Sequence, residues 1–182
     1  MTRPPCVSSL TLALGMLAAG VAGGESPGAS ASPACVDGHF ESTVSLHYDD
    51  RTLGAVAGLF LQVAYPDGVS VPGKGSDESV RARITSLLDA KFRLVSVDED
   101  TNADGREDRV RVLLVATTKD ALPAAPVARI RFDCDKQPAA TSFRCTTDQV
   151  ADGAGQPMRE QEARQVACQV TFPAGFPSAA SR

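Results

Sequence analysis

Apolar residues recur at every second position in six stretches of this chain, and this period of two constrains the fold more than any other feature. In the first stretch, Val44, Leu46 and Tyr48 alternate with Ser45 and His47. The same alternation occupies residues 59–65, 80–84, 110–116, 128–134 and 166–172. Such alternation is typical of β-strands that place one face on a core and the other face in water.

Turn-forming segments separate these stretches, for example residues 66–68 (Pro-Asp-Gly) and residues 72–75 (Pro-Gly-Lys-Gly). Only residues 86–91 favour a short helix or a turn. A series of short strands without βαβ units predicts an all-β protein. We expect a jelly-roll or immunoglobulin-like β-sandwich of about 7–9 strands.

The N-terminus has the three parts of a cleavable export signal. Arg3 supplies a positive charge, residues 10–21 are apolar, and small residues follow at 22–24. The apolar run is little more than half of the about 20 residues that a membrane span needs, and no second apolar stretch is long enough. We therefore predict a signal peptide over residues 1–22 and an exported protein without a membrane span, either secreted, periplasmic or on the cell surface.

The remaining chain divides into three predicted parts. Residues 23–34 are rich in Gly, Ser, Ala and Pro and predict a flexible leader. Residues 35–175 form one domain, and residues 176–182 form a disordered tail. Loss of Arg3 with the signal peptide changes the net charge from −4 to −5. This acidic balance, without a basic cluster, gives no reason to expect nucleic acid or an anionic membrane as partner.

An even number of cysteines remains once Cys6 leaves with the signal peptide. They are Cys35, Cys134, Cys145 and Cys168. In an exported chain this number predicts two disulfides. A zinc site is not favoured, because the sequence has no CxxC pair and no histidine cluster.

The pairing of the cysteines follows from a predicted hairpin. If residues 143–150 and 163–170 pair about a centre at residues 156–157, Cys145 lies opposite Cys168. Opposed cross-strand side chains are close enough for a disulfide after a small adjustment. The two other cysteines then pair with each other by elimination.

One segment between two apolar stretches carries oxygen donors at alternate positions, and from Asp100 it reads D-x-N-x-D-G-x-x-D. The candidate calcium ligands are Asp100, Asn102, Asp104 and Asp108, with Arg106 offering its backbone carbonyl. Calcium takes six to eight oxygen ligands, and Gly105 would allow the sharp reversal that gathers them. Arg111 stands where an EF-hand has a bidentate Glu, so the pattern is similar to the strand–loop–strand calcium loops of extracellular β proteins.

A second interpretation of this segment stays open. Asp and Asn residues suit tight turns, so the segment could be an acidic hairpin turn without a metal. Against this, the carboxylates between residues 98 and 108 repel one another when no cation is present. We therefore favour the hypothesis that this segment binds calcium.

No motif in the sequence indicates catalysis. There is no GxSxG, no HExxH and no phosphate-binding glycine loop. His47 lies on the polar phase of its strand, which predicts an exposed residue rather than a catalytic base. We therefore do not expect an enzyme.

Four segments follow one another in an order found in one known family. They are residues 44–50 (VSLHYDD), residues 57–71 (AGLFLQVAYPDGVSV), the Asp-rich segment followed by residues 110–118 (VRVLLVATT), and residues 126–134 (PVARIRFDC). Together they cover about half of the mature chain, and their order resembles the cohesin family of carbohydrate-binding-module-like β-sandwiches. The resemblance implies an exported, nine-stranded jelly roll that binds dockerin modules, which attach enzymes to cell-surface scaffolds.

These observations predict a secreted, non-catalytic protein-binding or scaffold module, stabilised by calcium, whose partner is a dockerin-like or other extracellular protein. The alternative is a carbohydrate-binding module on the same sandwich, with a polysaccharide as ligand. Sugar binding usually needs exposed aromatic rings, whereas this chain has no Trp, two Tyr and seven Phe. Both Tyr48 and Tyr65 fall on the apolar phase of their strands, which favours the protein partner.

Overall fold

A computed structural model describes residues 32–173 of the chain. The predicted signal peptide, most of the predicted leader and the predicted tail lie outside these residues, as do the last two residues of the predicted domain. Pro33, at the end of the predicted leader, is buried. Within residues 32–173, none of the helices has the length and apolar character needed to cross a membrane.

Nine strands form the framework of the described structure. They are β1 His39–His47, β2 Val56–Ala64, β3 Val69–Ser70, β4 Ile84–Ser86, β5 Phe92–Glu99, β6 Arg109–Ala116, β7 Pro126–Cys134, β8 Arg144–Asp152 and β9 Ala167–Thr171. The short helices are α1 Asp50–Leu53, α2 Glu78–Ala82 and α3 Glu160–Ala163, and Ala140–Ser142 forms a 3₁₀ turn.

The strands form two antiparallel sheets. The first sheet has the order β3-β7-β1-β9, with β4 also pairing with β7, and the second has the order β5-β6-β2-β8. The apolar phase of each strand faces the other sheet, which places the core between them. This arrangement confirms the predicted all-β sandwich.

Aromatic side chains fill one part of the core. Phe40 stacks on Phe132 at a centroid distance of 5.3 Å, and Phe143 meets Phe172 at 4.9 Å. The ring of Tyr65 packs against Phe132 at 5.4 Å. These rings come from β1, β7 and the segments flanking β2, β8 and β9, so the cluster joins residues of both sheets.

The prediction of a strand over residues 80–84 is wrong at its start. Residues 78–82 form α2, in which Arg81 N–H donates to the Asp77 carbonyl at 3.1 Å. Val80 and Ile84 are both buried, but Ala82 between them is exposed. Two buried residues four apart fit one helical turn as well as a strand, so the short alternation did not separate the two possibilities.

Both predicted cysteine pairs are joined in the structure, but the hairpin used to derive one of them is wrong. The Cys35–Cys134 and Cys145–Cys168 pairs have S–S distances of 1.99 and 2.05 Å. Strand β8 pairs with β2 and strand β9 with β1, so the two strands belong to different sheets. The Cys145–Cys168 disulfide therefore joins the sheets instead of crossing a hairpin.

Candidate functional site

The predicted calcium ligands lie in the loop of residues 100–108, which connects β5 to β6. Asp100 Oδ1 accepts from Ala103 N–H at 2.7 Å, and its Oδ2 accepts from Gly105 N–H at 2.8 Å. Asp104 Oδ1 accepts from Arg106 N–H at 2.8 Å. Each of these oxygens satisfies a backbone donor of the loop itself, as short polar side chains commonly do in turns.

The other two candidate side-chain ligands also bond within the loop. Asn102 Oδ1 accepts from Asp104 N–H at 3.0 Å, and both carboxylate oxygens of Asp108 accept from the Thr101 hydroxyl, at 2.8 and 2.7 Å. Among residues 32–173, no three acidic, histidine or cysteine side chains lie close enough together to hold a metal ion. Calcium therefore stays a prediction from the sequence.

The residue two positions before this loop behaves differently from the loop carboxylates. Asp98 lies in β5 and is 3% exposed, and its Oδ1 accepts a 2.8 Å hydrogen bond from the Tyr65 hydroxyl. Burial is the main cause that raises the pKa of Asp98, to about 7, and the nearby carboxylates of Glu107 and Asp108 add to it. Burial also raises the pKa of Tyr65, so its hydroxyl remains protonated and can donate. In the sequence, Asp98 is indistinguishable from the other carboxylates between residues 98 and 108 that are expected to repel one another.

The loop forms one wall of an acidic cleft of about 300 Å³, and residues 66–71 form the opposite wall. The carboxylates that line it are Asp67, Asp104, Glu107, Asp108 and Asp135. One basic side chain, Arg106, lines it with them. The end of the sandwich that carries the β5–β6 loop is therefore negatively charged.

The outer face of the second sheet carries a continuous group of apolar side chains. The backbone register places Val95, Leu113 and Phe60 side by side across β5, β6 and β2. Val115 and Val97 occupy neighbouring positions on the same face, on opposite sides of that row. Val95 is 52% exposed and Val115 is 37% exposed. We call these five residues the apolar stripe.

Arginines surround the apolar stripe. The guanidinium carbon of Arg111 lies 4.3 Å from the centroid of the Phe60 ring, a cation–π contact. The same guanidinium lies 3.8 Å from the carboxylates of Glu99 and Asp148. Arg109 donates to the side-chain oxygen of Gln62 at 2.7 Å. Arg93 and Arg144 occupy the opposite corners of the face, on the edge strands β5 and β8.

The outer face of the first sheet has a different composition. Most of the side chains at its outward positions are polar or charged, among them Glu41, Thr43, Thr85, Arg129, Arg131, Gln169 and Thr171. One sheet thus shows the predicted pattern of a core face and a water face, and the other sheet has apolar residues on both faces.

The apolar stripe was not predicted from the sequence, although the sequence contains a signal for it. In β2, β5 and β6 apolar residues occupy both phases, as in the consecutive Leu59, Phe60 and Leu61. Such runs are typical of strands that are covered on both sides.

No protein-family model, no curated protein sequence and no solved structure matches this chain.

Proposed function

We propose that this domain is a secreted, non-catalytic protein-binding or scaffold module, and that it binds its partner through the apolar stripe. The support for this proposal is the exposure of Val95 and Val115, at 52% and 37%, in a stripe whose three other members are also apolar. Contiguous exposed apolar surface with a polar rim marks interaction sites, whereas apolar residues scattered singly do not.

A folded protein suits this face better than a polysaccharide does. Carbohydrate binding relies on open aromatic rings, but the large apolar residues that are exposed in the described part of the chain are all aliphatic. Phe60 is the aromatic member of the stripe, and the guanidinium of Arg111 covers its ring. The resemblance to cohesins agrees with a protein partner and makes a dockerin-like module one candidate.

The test is capture of partners from the culture medium of the source organism on the immobilised mature domain. We expect the wild-type domain to retain a partner that the Val95→Glu/Val115→Glu variant does not retain. The matched control is Thr85→Glu/Gln169→Glu, which places the same two charges on the outer face of the first sheet and should retain the partner. Circular dichroism of each variant checks that the fold is intact.

Two outcomes would refute this proposal. Retention that is equal in the wild type and in the Val95→Glu/Val115→Glu variant would exclude the apolar stripe as the binding surface. Retention of the domain itself on cellulose, chitin or xylan would favour the carbohydrate-binding alternative. Repeating the capture in chelator and in calcium shows whether the metal is needed for binding.

A further inference from the structure

We propose that the partner surface is aliphatic at its centre and carries carboxylates at two places, which pair with Arg93 and Arg144. This inference rests on the proposed function, since it concerns the chemistry of the partner that binds the apolar stripe. It commits to a folded protein with an acidic rim, rather than a basic protein or a flexible peptide.

The four arginines on this face differ in whether they already have a partner. Arg111 already has two carboxylate neighbours, and Arg109 bonds to Gln62. Arg93 and Arg144 are exposed, and within residues 32–173 neither forms an ion pair. These two cations are therefore available to a partner, whereas the other two are held flat against the sheet.

Arg93 and Arg144 lie at opposite corners of the face that carries the apolar stripe. The register places Arg93 directly beside Val115, in the row at one end of the stripe. Arg144 lies opposite Ala64 on the far strand, beyond the other end. Three strand spacings separate β5 from β8, about 14 Å, and six residues separate the two rows, about 20 Å. The cations thus mark the two ends of a diagonal across the whole face.

Two cations at this separation favour a wide partner surface that carries carboxylates. The diagonal between the two cations is about 25 Å, which approaches the width of a standard protein–protein contact, whereas an extended peptide of about eight residues along it would leave most of the face uncovered. The guanidinium group favours carboxylates because its N–H groups match the two oxygens. Ion pairs at the rim of an apolar contact fix orientation and association rate and weaken in salt.

The experiment uses two versions of one small folded probe, a three-helix bundle with an exposed patch of Leu and Val. Glu flanks the patch at both ends in the first version, and Lys replaces it in the second. Each version is titrated into the isotopically labelled mature domain, and amide chemical shifts are recorded. We expect the Glu probe to shift signals of β2, β5 and β6 and to bind at least about tenfold more tightly than the Lys probe. About 0.5 M NaCl should remove the difference.

Variants of the domain provide the second measurement. Arg93→Glu/Arg144→Glu should weaken binding of the Glu probe about tenfold and strengthen binding of the Lys probe. Arg81→Glu/Arg131→Glu changes the net charge equally at exposed positions outside this face and should leave both affinities unchanged.

Three results would overturn the inference: equal affinity for the two probes, no binding of either probe, or equal effects of the two double variants. None of them decides the proposed function, which depends on capture of a natural partner by Val95 and Val115. Loss of that capture in the Val95→Glu/Val115→Glu variant, with no effect of Arg93→Glu/Arg144→Glu, would leave the proposed function standing and the acidic rim refuted.

Discussion

The Tyr65 hydroxyl donates a 2.8 Å hydrogen bond to Oδ1 of Asp98, a residue that is 3% exposed. The second oxygen, Oδ2, is buried and has no hydrogen-bond partner among the described residues. Since burial raises the pKa of Asp98 to about 7, this carboxyl carries a proton for much of its time near neutral pH. A proton on Oδ2 leaves Oδ1 free to accept from Tyr65.

This pair predicts that the free energy of unfolding falls as pH rises from about 4 to about 7. The pKa of Asp98 is about 7 in the folded chain and 3.8 in its ordinary state, so the folded chain keeps a proton that the unfolded chain has lost. The contribution is fully present below pH 4 and is lost as pH rises through 7. At about 1.4 kcal/mol per pKa unit, the loss amounts to a few kcal/mol.

Asp98→Asn isolates this effect, because the amide oxygen still accepts from Tyr65 and the side chain does not ionise. Urea unfolding at pH 4–9 should show a smaller fall in stability for this variant than for the wild type. Asp135→Asn, an exposed carboxyl of the acidic cleft, serves as the control and should follow the wild-type curve. Parallel curves for Asp98→Asn and the wild type would contradict the prediction.

The calcium hypothesis predicts a stabilisation that depends on the metal. With a Kd near the 10⁻⁴ M end of the extracellular range, about 10 mM calcium is roughly a hundredfold excess and stabilises by about 2.7 kcal/mol. For a domain of this size the melting temperature should rise by several degrees. Asp104→Ala removes a central ligand and should abolish the rise, while magnesium should have a smaller effect.

Asp120→Ala is the matched control for the calcium measurement, because Asp120 is an exposed carboxylate in the segment between β6 and β7, outside the predicted calcium loop. It should keep the calcium-dependent rise. Superimposable melting curves in chelator and in excess calcium would instead show that residues 100–108 form an acidic turn without a metal.

The two disulfides should contribute unequally to stability. Cys35–Cys134 closes a sequence separation of 99 residues and Cys145–Cys168 one of 23. From the entropy of the unfolded chain, their contributions are about 4.7 and about 3.4 kcal/mol. The paired Cys→Ala variants, compared by denaturant unfolding at one pH, should therefore rank in that order. A larger loss on removing Cys145–Cys168 would show that joining the two sheets matters more than loop length.

Gly73 should be the less replaceable of two glycines with positive φ. Its φ is +107°, and a Cβ there would lie 2.1 Å from the Ser79 hydroxyl oxygen and 3.1 Å from Cγ2 of Val80. Gly105 has a φ of +88° but open space at its Cβ position. Both Ala variants incur about 1–2 kcal/mol of backbone strain, and Gly73→Ala should lose on the order of 1 kcal/mol more. Adding Ser79→Ala should recover part of that difference, and equal losses in the two single variants would contradict the role of the contact.

The strands were predictable because a buried face leaves a period of two in the sequence. That pattern located most of β1, β2, β6, β7 and β9 and indicated the sandwich. It did not distinguish α2 from a strand, since Val80 and Ile84 satisfy both periods. It also did not show which sheet each strand enters, because pairing depends on contacts between residues far apart in sequence.

The functional surface was less predictable than the fold, for a related reason. Exposure of Val95 is a property of the assembled second sheet, whose outer face no other element of residues 32–173 covers. A run of apolar residues in one strand does not reveal this. The motif of residues 100–108 was visible in the sequence, but the direction of each carboxylate depends on which backbone donors the turn leaves free. Asp98 differs from its acidic neighbours because β5 continues to Glu99 and places Asp98 on the phase that faces the core.

The placement of the two disulfides has a mechanical consequence. A force that pulls on the two ends of the domain enters at Cys35, crosses directly to Cys134, follows the backbone to Cys145 and leaves through Cys168. Only the eleven-residue step between Cys134 and Cys145 can lengthen, by at most about 40 Å, whereas the reduced chain between Cys35 and Cys168 could reach about 450 Å. With both disulfides closed, the force bypasses most of the sandwich. Tension would therefore extend only the segment between Cys134 and Cys145, and the strands that carry the apolar stripe would bear no force.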